Sequence, residues 1–398
     1  MKGHSDSVGI HSDIPKNQFY ERRLQNEISE RRNNLRTGTE KLRVYVFSVE
    51  VFPSSAGQVA ESVRELKDLL NVLGDECVGE TRQRLSRINP TTCVGAGKAA
   101  EIARDARACH ADYVVSDRDL SHSQVRNLET IIGLPVLDRA SVILQIFAKN
   151  AKTREARVQV AIAHLEYLLP RLSSSWISTE RQGGGSASGG AARSRGSGES
   201  KLELSQRHVR QRLEGLRREL KQIEKNRAVQ GKLRRGAFSV ALVGYTNAGK
   251  TTLMNALTQS SLPVRDGVFE TLDTSVRRMH GCGEACKILI SDTVGFIRNL
   301  PHGLVASFRS TLSDVGNADL LLHVVDGSDP DFLSHVKVTE KVLNELGADK
   351  IPRLIVVNKA DRGEKDASAL TQYEHIFVSA LCREDVDQLR NRILQMRP

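Results

Sequence analysis

The 398-residue chain has few cysteines, few aromatic residues and no long apolar run. Its six scattered cysteines exclude a small scaffold built on disulfides, so we expect reduced thiols. No apolar segment approaches the roughly 20 residues that a membrane-spanning helix needs. The amino terminus also lacks the apolar core of a secretory signal. We therefore expect a cytoplasmic protein without a membrane span. We also expect a monomer, and the length predicts two or three domains.

Only two of the cysteines lie close together. Cys282 and Cys286 stand in the stretch HGCGEACKI. A zinc site would need a second pair of ligands, and the sequence offers none nearby. A plain hairpin turn is therefore favoured over a metal site.

The positive charge of the chain is concentrated in one segment. The formal net charge of the whole chain is +10, and residues 193–235 carry 14 basic and 5 acidic residues, a net charge of +9. Such a concentration predicts a surface that contacts a polyanion. The alternative is a solvated helix face with ordinary basic side chains.

The first part of the chain divides into an arm and a small domain. Residues 1–40 are polar and show no sustained apolar period, which predicts a flexible or partly helical arm. From RVYVFSVEV onward, short strands alternate with helices such as SVRELKDLLNVLG, and Ser121 is the predicted cap of a later helix. The alternation predicts a small α/β domain with mostly parallel strands at 41–140.

A helical region is predicted at 141–235. Two sets of apolar residues are spaced three and four apart, as on one face of a long helix: Val158, Ile162, Leu165, Leu169 and Leu172, then Val209, Leu213, Leu216, Leu220 and Ile223. A Gly/Ser-rich tract lies between them. The pattern predicts a long antiparallel helical hairpin with a flexible tip at 183–198. The alternative is a linker between two independent domains.

The remaining residues, 236–398, repeat the alternation of strand and helix. The strand candidates are FSVALVG, KILISD, LLLHVVD, RLIVVN and HIFVS. They predict a doubly wound α/β domain with a mostly parallel sheet, whose site lies at the carboxyl ends of the strands. The whole chain is thus predicted to be a multidomain α/β protein with a helical hairpin between its two sheets.

A phosphate-binding loop is predicted between the first strand and helix of this domain. The stretch GYTNAGKT matches G-x-x-x-x-G-K-[ST] in the required strand-to-helix context. Its glycines let backbone N–H groups face a phosphate chain, and the lysine adds a positive charge. The predicted nucleotide contacts are Gly244, Tyr245, Thr246, Asn247, Ala248, Gly249, Lys250, Thr251 and Thr252.

Three further motifs select GTP. DTVG follows one strand, and its glycine N–H is placed to sense the γ-phosphate. In NKAD the aspartate carboxylate can accept two hydrogen bonds from guanine, while adenine offers no such donor pair. The backbone of SAL is placed to contact the guanine oxygen. The predicted contacts are Asp292, Thr293, Val294, Gly295, Asn358, Lys359, Ala360, Asp361, Ser379, Ala380 and Leu381.

A first switch is predicted between the phosphate loop and DTVG. The stretch FETLD supplies the candidate nucleotide contacts Phe269, Glu270, Thr271, Leu272 and Asp273. Thr251 and Thr271 are the predicted direct ligands of Mg²⁺, and Asp292 is predicted to hold the ion through water. Lys250, Thr271 and Gly295 are the predicted catalytic residues.

These motifs together resemble the HflX family of ribosome-associated GTPases over about residues 43–398. The resemblance is carried by GYTNAGKTTLMNALT, DTVGFIRNLPHGLVASFRSTL and VLDRASVILQIFAKNAKTREARVQVAIAHLEYLLPRL. It implies that the first two parts of the chain bind the large ribosomal subunit, with the hairpin loop directed toward the peptidyl transferase centre. It also implies that the GTP form dissociates stalled or idle ribosomes into subunits.

The basic hairpin suits contacts with ribosomal RNA. The candidate RNA contacts are Arg193, Arg195, Lys201, Arg207, Arg210 and Arg212. Two other functions stay open: assembly of the large subunit, and RNA binding by a protein that senses GTP or GDP with little catalysis. The stretch CVGAGKAAEI resembles a turn for which the family suggests ATP binding, but a tight turn before a helix is favoured.

Slow hydrolysis of GTP by the free protein is the first prediction. The residue after Gly295 is Phe296, where signalling GTPases place a glutamine that orients water. A phenyl ring cannot orient water by hydrogen bonding, so a partner that orders the switches should accelerate the reaction. Phosphate release by the purified protein, alone and with ribosomes, measures this. Equal rates in the two conditions would refute it.

Overall fold

The computed structural model describes most of the chain. The described residues are 41–52, 56–175, 201–232, 236–262, 269, 275–281, 287–298, 313–362 and 370–397. The predicted arm at 1–40, the tip at 183–198 and the pair Cys282 and Cys286 lie outside them. The predicted divisions of the chain at 40, 140 and 235 stay predictions.

The sequence predicts mostly parallel strands in the first sheet, and all four of its described strands are parallel, in the order β2-β1-β3-β4. Its strands are β1 (Arg43–Val51), β2 (Glu76–Leu85), β3 (Tyr113–Ser116) and β4 (Val136–Asp138). Its helices are α1 (Ala56–Leu73), α2 (Ala96–Ala108), α3 (His122–Ile132) and α4 (Arg139–Asn150). Apolar side chains of α4, such as Ile143 and Phe147, belong to the buried core around this sheet.

Local sequence signals set the ends of these helices. Helix α1 stops before Gly74, whose φ of +87° suits glycine. The cap predicted for α3 is confirmed, because the Ser121 hydroxyl accepts from the backbone N–H of Gln124 at 3.2 Å. Strand β2 is not predicted from the sequence. Its sequence ECVGETRQRL is polar, because the strand forms the exposed edge of the sheet.

The helical pair consists of α5 (Arg154–Ser175) and α6 (Lys201–Lys232). The two predicted apolar seams meet in one cluster, in which Val158, Ile162 and Leu165 pack with Val209, Leu213 and Leu216. The side chain of Leu172 lies outside the described residues. Ion pairs Arg154–Glu219 and Glu166–Arg217 lie beside it. Since exposed ion pairs contribute about 0 to 1 kcal/mol, the apolar seam is the main source of stability.

In the described residues, the second sheet has six strands in the order β10-β9-β8-β5-β7-β6, and among them only β6 runs antiparallel to its neighbour. Its strands are β5 (Phe238–Gly244), β6 (Ser275–Arg278), β7 (Ile288–Asp292), β8 (Leu320–Asp326), β9 (Arg353–Asn358) and β10 (His375–Phe377). Its helices are α7 (Lys250–Thr258), α8 (Ser313–Gly316), α9 (Phe332–Glu345) and α10 (Arg383–Gln395).

None of the helices in the described part of the chain is both long and apolar enough to cross a membrane. The carboxyl ends of β5, β7, β8 and β9 carry the phosphate loop, DTVG, the Asp326 turn and NKAD respectively. All four segments therefore meet at one edge of the second sheet.

Truncation within the helical seam should destabilise the pair. Leu216 is 4% exposed and packs between α5 and α6, so Leu216→Ala leaves a cavity. We expect a loss of roughly 2 to 4 kcal/mol in the free energy of unfolding of the helical pair. Urea unfolding followed by circular dichroism measures it, with the exposed Gln211→Ala as the matched control. A Leu216→Ala protein as stable as this control would contradict the packing.

Candidate nucleotide site and its contacts with the first domain

Two glycines shape the phosphate loop between β5 and α7. Gly244 has a φ of +147°, and a Cβ there would lie 2.1 Å from the carbonyl oxygen of Val324. Gly249 has a φ of +89°, and its Cβ would lie 2.2 Å from Nδ2 of Asn358. Neither position has room for a side chain, so the loop keeps its close approach to β8 and β9.

Lys250 is buried at the start of α7. Its ammonium donates to the carbonyl oxygens of Gly244 at 3.1 Å and Tyr245 at 2.7 Å. An ammonium has three N–H donors. These two bonds orient the lysine side chain across the loop and leave the third N–H for a phosphate. Burial lowers the pKa of Lys250 to about 8, although the charge of Asp292 opposes that shift.

A pair of oxygen ligands stands beside the lysine. The Thr251 hydroxyl donates to Oδ2 of Asp292 at 2.7 Å, and Asp292 is fully buried. Hydroxyl and carboxylate oxygens are the ligands that Mg²⁺ prefers, so this pair fits the predicted ion. The hydroxyl of Thr293 instead donates to the carbonyl oxygen of Leu242 at 2.6 Å, which fixes the strand end.

The DTVG segment is bonded directly to the phosphate loop. Phe296 N–H donates to the Gly244 oxygen at 3.0 Å, and Thr246 N–H donates to the Phe296 oxygen at 2.8 Å. A Cβ on Gly295 would lie 2.9 Å from Cα of Thr246 and 3.0 Å from Nζ of Lys250. Glycine is therefore required here. The Phe296 ring is buried, so no hydrogen-bonding side chain stands at this position.

Asn358 connects the motifs expected around the base. Its Nδ2 donates to the Ala248 oxygen at 2.9 Å, and its Oδ1 accepts from Ala380 N–H at 3.1 Å. The carboxylate of Asp361 is exposed and accepts from the Ser379 hydroxyl at 2.7 Å. This hydrogen bond holds the pKa of Asp361 below its usual value, so the acceptor form is present at neutral pH.

The side chain of Tyr245 points out of the phosphate loop toward the first domain. Its hydroxyl donates to Glu65 of α1 and accepts from the backbone N–H of Arg298 at 3.0 Å. Its ring stacks on that of His335, with centroids 3.8 Å apart. Burial and the charge of Glu65 raise the pKa of Tyr245, so the hydroxyl stays protonated and remains a donor.

Arg298 makes a second connection between the domains. Its guanidinium pairs with Glu61 of α1 at 2.5 Å, and both side chains are 11% exposed. It also donates to the Ser334 hydroxyl at 2.6 Å. Arg298 lies three residues beyond Gly295, so a movement of DTVG would reach this ion pair directly.

Glu65 belongs to a buried network of charges at the edge of the first sheet. Arg139 is 0% exposed and pairs with both Glu65 and Asp117, the second at 2.9 Å. Its guanidinium also donates to the Ser62 carbonyl oxygen at 3.2 Å. Glu61, Glu65 and Arg139 are not among the site residues that the sequence motifs predict. Charged residues placed directly after buried strands, as Asp117 and Arg139 are, could have signalled such a network.

Phe269, at the start of the predicted first switch, also contacts the first domain. Its ring meets that of Phe147 edge to face with centroids 4.7 Å apart. Its carbonyl oxygen accepts from Nδ2 of Asn150 at 2.8 Å. The first domain therefore contacts the phosphate loop, the first switch and the segment after DTVG.

The other predicted contacts have mixed outcomes. Glu270, Thr271, Leu272, Asp273, Arg193 and Arg195 lie outside the described residues, as does the side chain of Lys201. Arg207, Arg210 and Arg212 are exposed on α6. In the stretch CVGAGK, the Gly95 N–H donates to the side-chain oxygen of Gln83. The Lys98 ammonium donates to Thr81 and Glu101, so these residues form a turn at the start of α2. The site residues as a set stay predictions.

Three family models match successive parts of the chain. They are described as GTP-binding GTPase N-terminal (residues 60–148), GTP-binding GTPase Middle Region (150–234) and 50S ribosome-binding GTPase (239–359). Together they match most of the described chain.

Two relatives and one solved structure give the extent of the likeness. GTPase HflX of Alkalihalophilus pseudofirmus is 41% identical over 337 residues, covering 84% of this chain and 78% of the relative. GTPase HflX of Escherichia coli is 39% identical over 303 residues, covering 76% and 70%. A GTP-binding protein of Sulfolobus solfataricus, solved with GDP, aligns over 89% of this chain and 98% of its own at 23% identity and a TM-score of 0.44.

The lowered pKa of Lys250 predicts a pH dependence of GTP binding. Phosphates favour the charged lysine, so binding above pH 8 requires protonation of a neutral amine. We expect the affinity for GTP to fall about fourfold from pH 7.0 to pH 8.5. Calorimetry in two buffers of different ionisation enthalpy should show proton uptake at pH 8.5 and little at pH 7.0. Equal affinities without proton uptake would contradict it.

Proposed function

Because the chain belongs to the HflX family of GTPases, we propose that GTP hydrolysis controls its binding to the large ribosomal subunit and the dissociation of stalled or idle ribosomes. Hydrolysis itself follows from the family and the GTPase domain. One observation carries the proposal. Through the carboxylates Glu65 and Glu61, the first domain contacts Tyr245 in the phosphate loop and Arg298 in the segment after Gly295, the predicted γ-phosphate sensor.

Binding and catalysis are assigned to the chain's own groups. The phosphate-loop amides and Lys250 would hold the phosphates, and Asp361 would select guanine. Thr251 and Asp292 would hold Mg²⁺, which supplies charge neutralisation at the phosphates when bound. Catalysis is then mainly positioning and electrostatic stabilisation, and Phe296 adds no group that orients water.

The nucleotide signal would pass from DTVG to the first domain. A γ-phosphate that engages the Gly295 N–H would shift the bonds between Phe296 and the phosphate loop. Arg298 follows within three residues, so its bonds to Tyr245 and Glu61 would change with them. The GTP and GDP forms would then hold the first domain differently, and their affinities for a bound partner would differ.

The partner surface is the exposed face of α6. Arg207, Arg210 and Arg212 project from this helix, and it carries most of the chain's excess positive charge. The matched model is described as a 50S ribosome-binding GTPase. Phosphates of ribosomal RNA in the large subunit suit this charge. The compartment that follows from this partner is the cytoplasm.

Charge reversal on α6 should weaken binding to the large subunit. We expect Arg207→Glu, Arg210→Glu and Arg212→Glu together to reduce co-pelleting with isolated large subunits in the presence of a non-hydrolysable GTP analogue. The slope of log affinity against log salt should fall by about one per lost phosphate contact. The matched control reverses three exposed lysines of the GTPase domain, Lys337, Lys341 and Lys350. Equal pelleting of the two triple variants would remove α6 from the proposal.

The same preparations distinguish dissociation from assembly. Intact ribosomes are incubated with the wild-type protein and the GTP analogue, then separated on a sucrose gradient. The proposal predicts that subunits appear with the analogue and that few appear with GDP. Intact particles in both conditions would contradict ribosome dissociation and would favour a role on precursors of the large subunit.

A further inference from the structure

A cavity of about 500 Å³ lies on the first domain, apart from the nucleotide site. It is open to solvent on one side and is bordered by the segment leading into α3, the start of α4 and the second half of α5. Asp119 and Asp138, beyond β3 and at the end of β4, mark its position at the carboxyl edge of the sheet. Open parallel sheets bind their ligands at this edge, and the volume is typical of small-molecule sites.

The floor of the cavity is apolar. Leu120, Ala140, Leu144 and Ala163 line it, and each is at most 4% exposed. Pro170 of α5 adds a further apolar wall. This surface suits the hydrocarbon or aromatic body of a ligand better than a polar chain of phosphates or sugars.

Two charged residues in the wall, Asp138 and Arg171, pair with each other. Asp138 accepts from Arg171 at 2.6 Å and from the Tyr167 hydroxyl at 2.7 Å, and the Arg171 guanidinium lies 3.3 Å from the centre of the Tyr167 ring. Arg171 also donates to the Leu120 carbonyl oxygen at 2.8 Å. The Arg171 guanidinium is thus paired with Asp138 and hydrogen-bonded to the protein backbone.

The carboxylates at the opening make the cavity negative. Asp119 lies at the exposed rim, and Glu166 lines the wall with its own partner Arg217 more than half exposed to solvent. The protein atoms packed around its carboxylate and the charge of the nearby Asp138 raise the pKa of Asp119 to about 6, although the side chain reaches the surface, so it is largely ionised at neutral pH. An anion would meet these carboxylates, whereas a cation would pair with Asp119.

We propose that this cavity binds a small organic amine, whose ammonium group pairs with Asp119 and whose apolar body packs on Leu120, Leu144 and Ala163. The occupant would touch both the first sheet and α5. It would therefore strengthen the attachment of the helical pair to the first domain. This site does not depend on ribosome binding, and the two can fail separately.

Calorimetric titration of the full chain with tryptamine tests the proposal. Indole-3-acetate, which carries a carboxylate on the same ring, is the matched probe. We expect tryptamine to bind and indole-3-acetate to show no binding at equal concentration. Asp119→Asn should weaken tryptamine about fivefold, the factor expected for one lost ion pair of about 1 kcal/mol. Asp349→Asn, an exposed aspartate on the other domain, should leave it unchanged.

The pH dependence of the titration gives an independent readout. The charged groups around Asp119 are Asp138 on β4, Arg139 on α4, and Glu166 and Arg171 on α5, with Tyr167 and His122 also lining the site. Because Asp119 is protonated at pH 5, tryptamine should bind more weakly there than at pH 7.5, and Asp119→Asn should reduce this difference. Absence of tryptamine binding, equal binding by Asp119→Asn, or equal binding of indole-3-acetate would overturn the proposal. Thermal unfolding confirms that the variants are folded.

Discussion

The structure depends on the pairing of two carboxylates of α1 with groups from the other domain. Glu65 is buried between Arg139 and the Tyr245 hydroxyl, and Glu61 pairs with Arg298. A buried charge that loses its partner costs roughly 3 to 5 kcal/mol, so neither domain can move away without replacing these bonds. The same bonds fix the phosphate loop and the segment after DTVG. The attachment of the two domains and the geometry of the nucleotide site therefore depend on the same bonds.

The sequence predicts those features that are set by residues close together in the chain. Gly244 and Gly249 are fixed by the loop's path, since a Cβ at either would overlap a neighbouring strand end. The mostly parallel order of the two sheets follows from the alternation of strand and helix, and β6 is antiparallel to β7. The apolar seams of α5 and α6 meet as their periods predict, because side chains three and four apart share one face of a helix.

Other features depend on contacts that no local pattern encodes. Tyr245 and Glu65 are 180 residues apart, and nothing near Tyr245 indicates that its ring turns away from the nucleotide. Strand β2 is polar because it stands at a sheet edge, where neither face is deeply buried, so its sequence resembles a loop. The buried network of Arg139 and Asp117 follows two predicted strands, yet its partners come from a helix far earlier in the chain.

The central claim is that the nucleotide state reaches the first domain through Glu61 and Glu65. Amide hydrogen exchange of α1 measures this most directly, in the full-length protein with GDP or with a non-hydrolysable GTP analogue. The account predicts that exchange around Glu61 and Glu65 differs between the two nucleotides and that Tyr245→Phe with Glu61→Gln reduces the difference. Identical exchange in both nucleotide states, with both nucleotides shown to be bound, would contradict it.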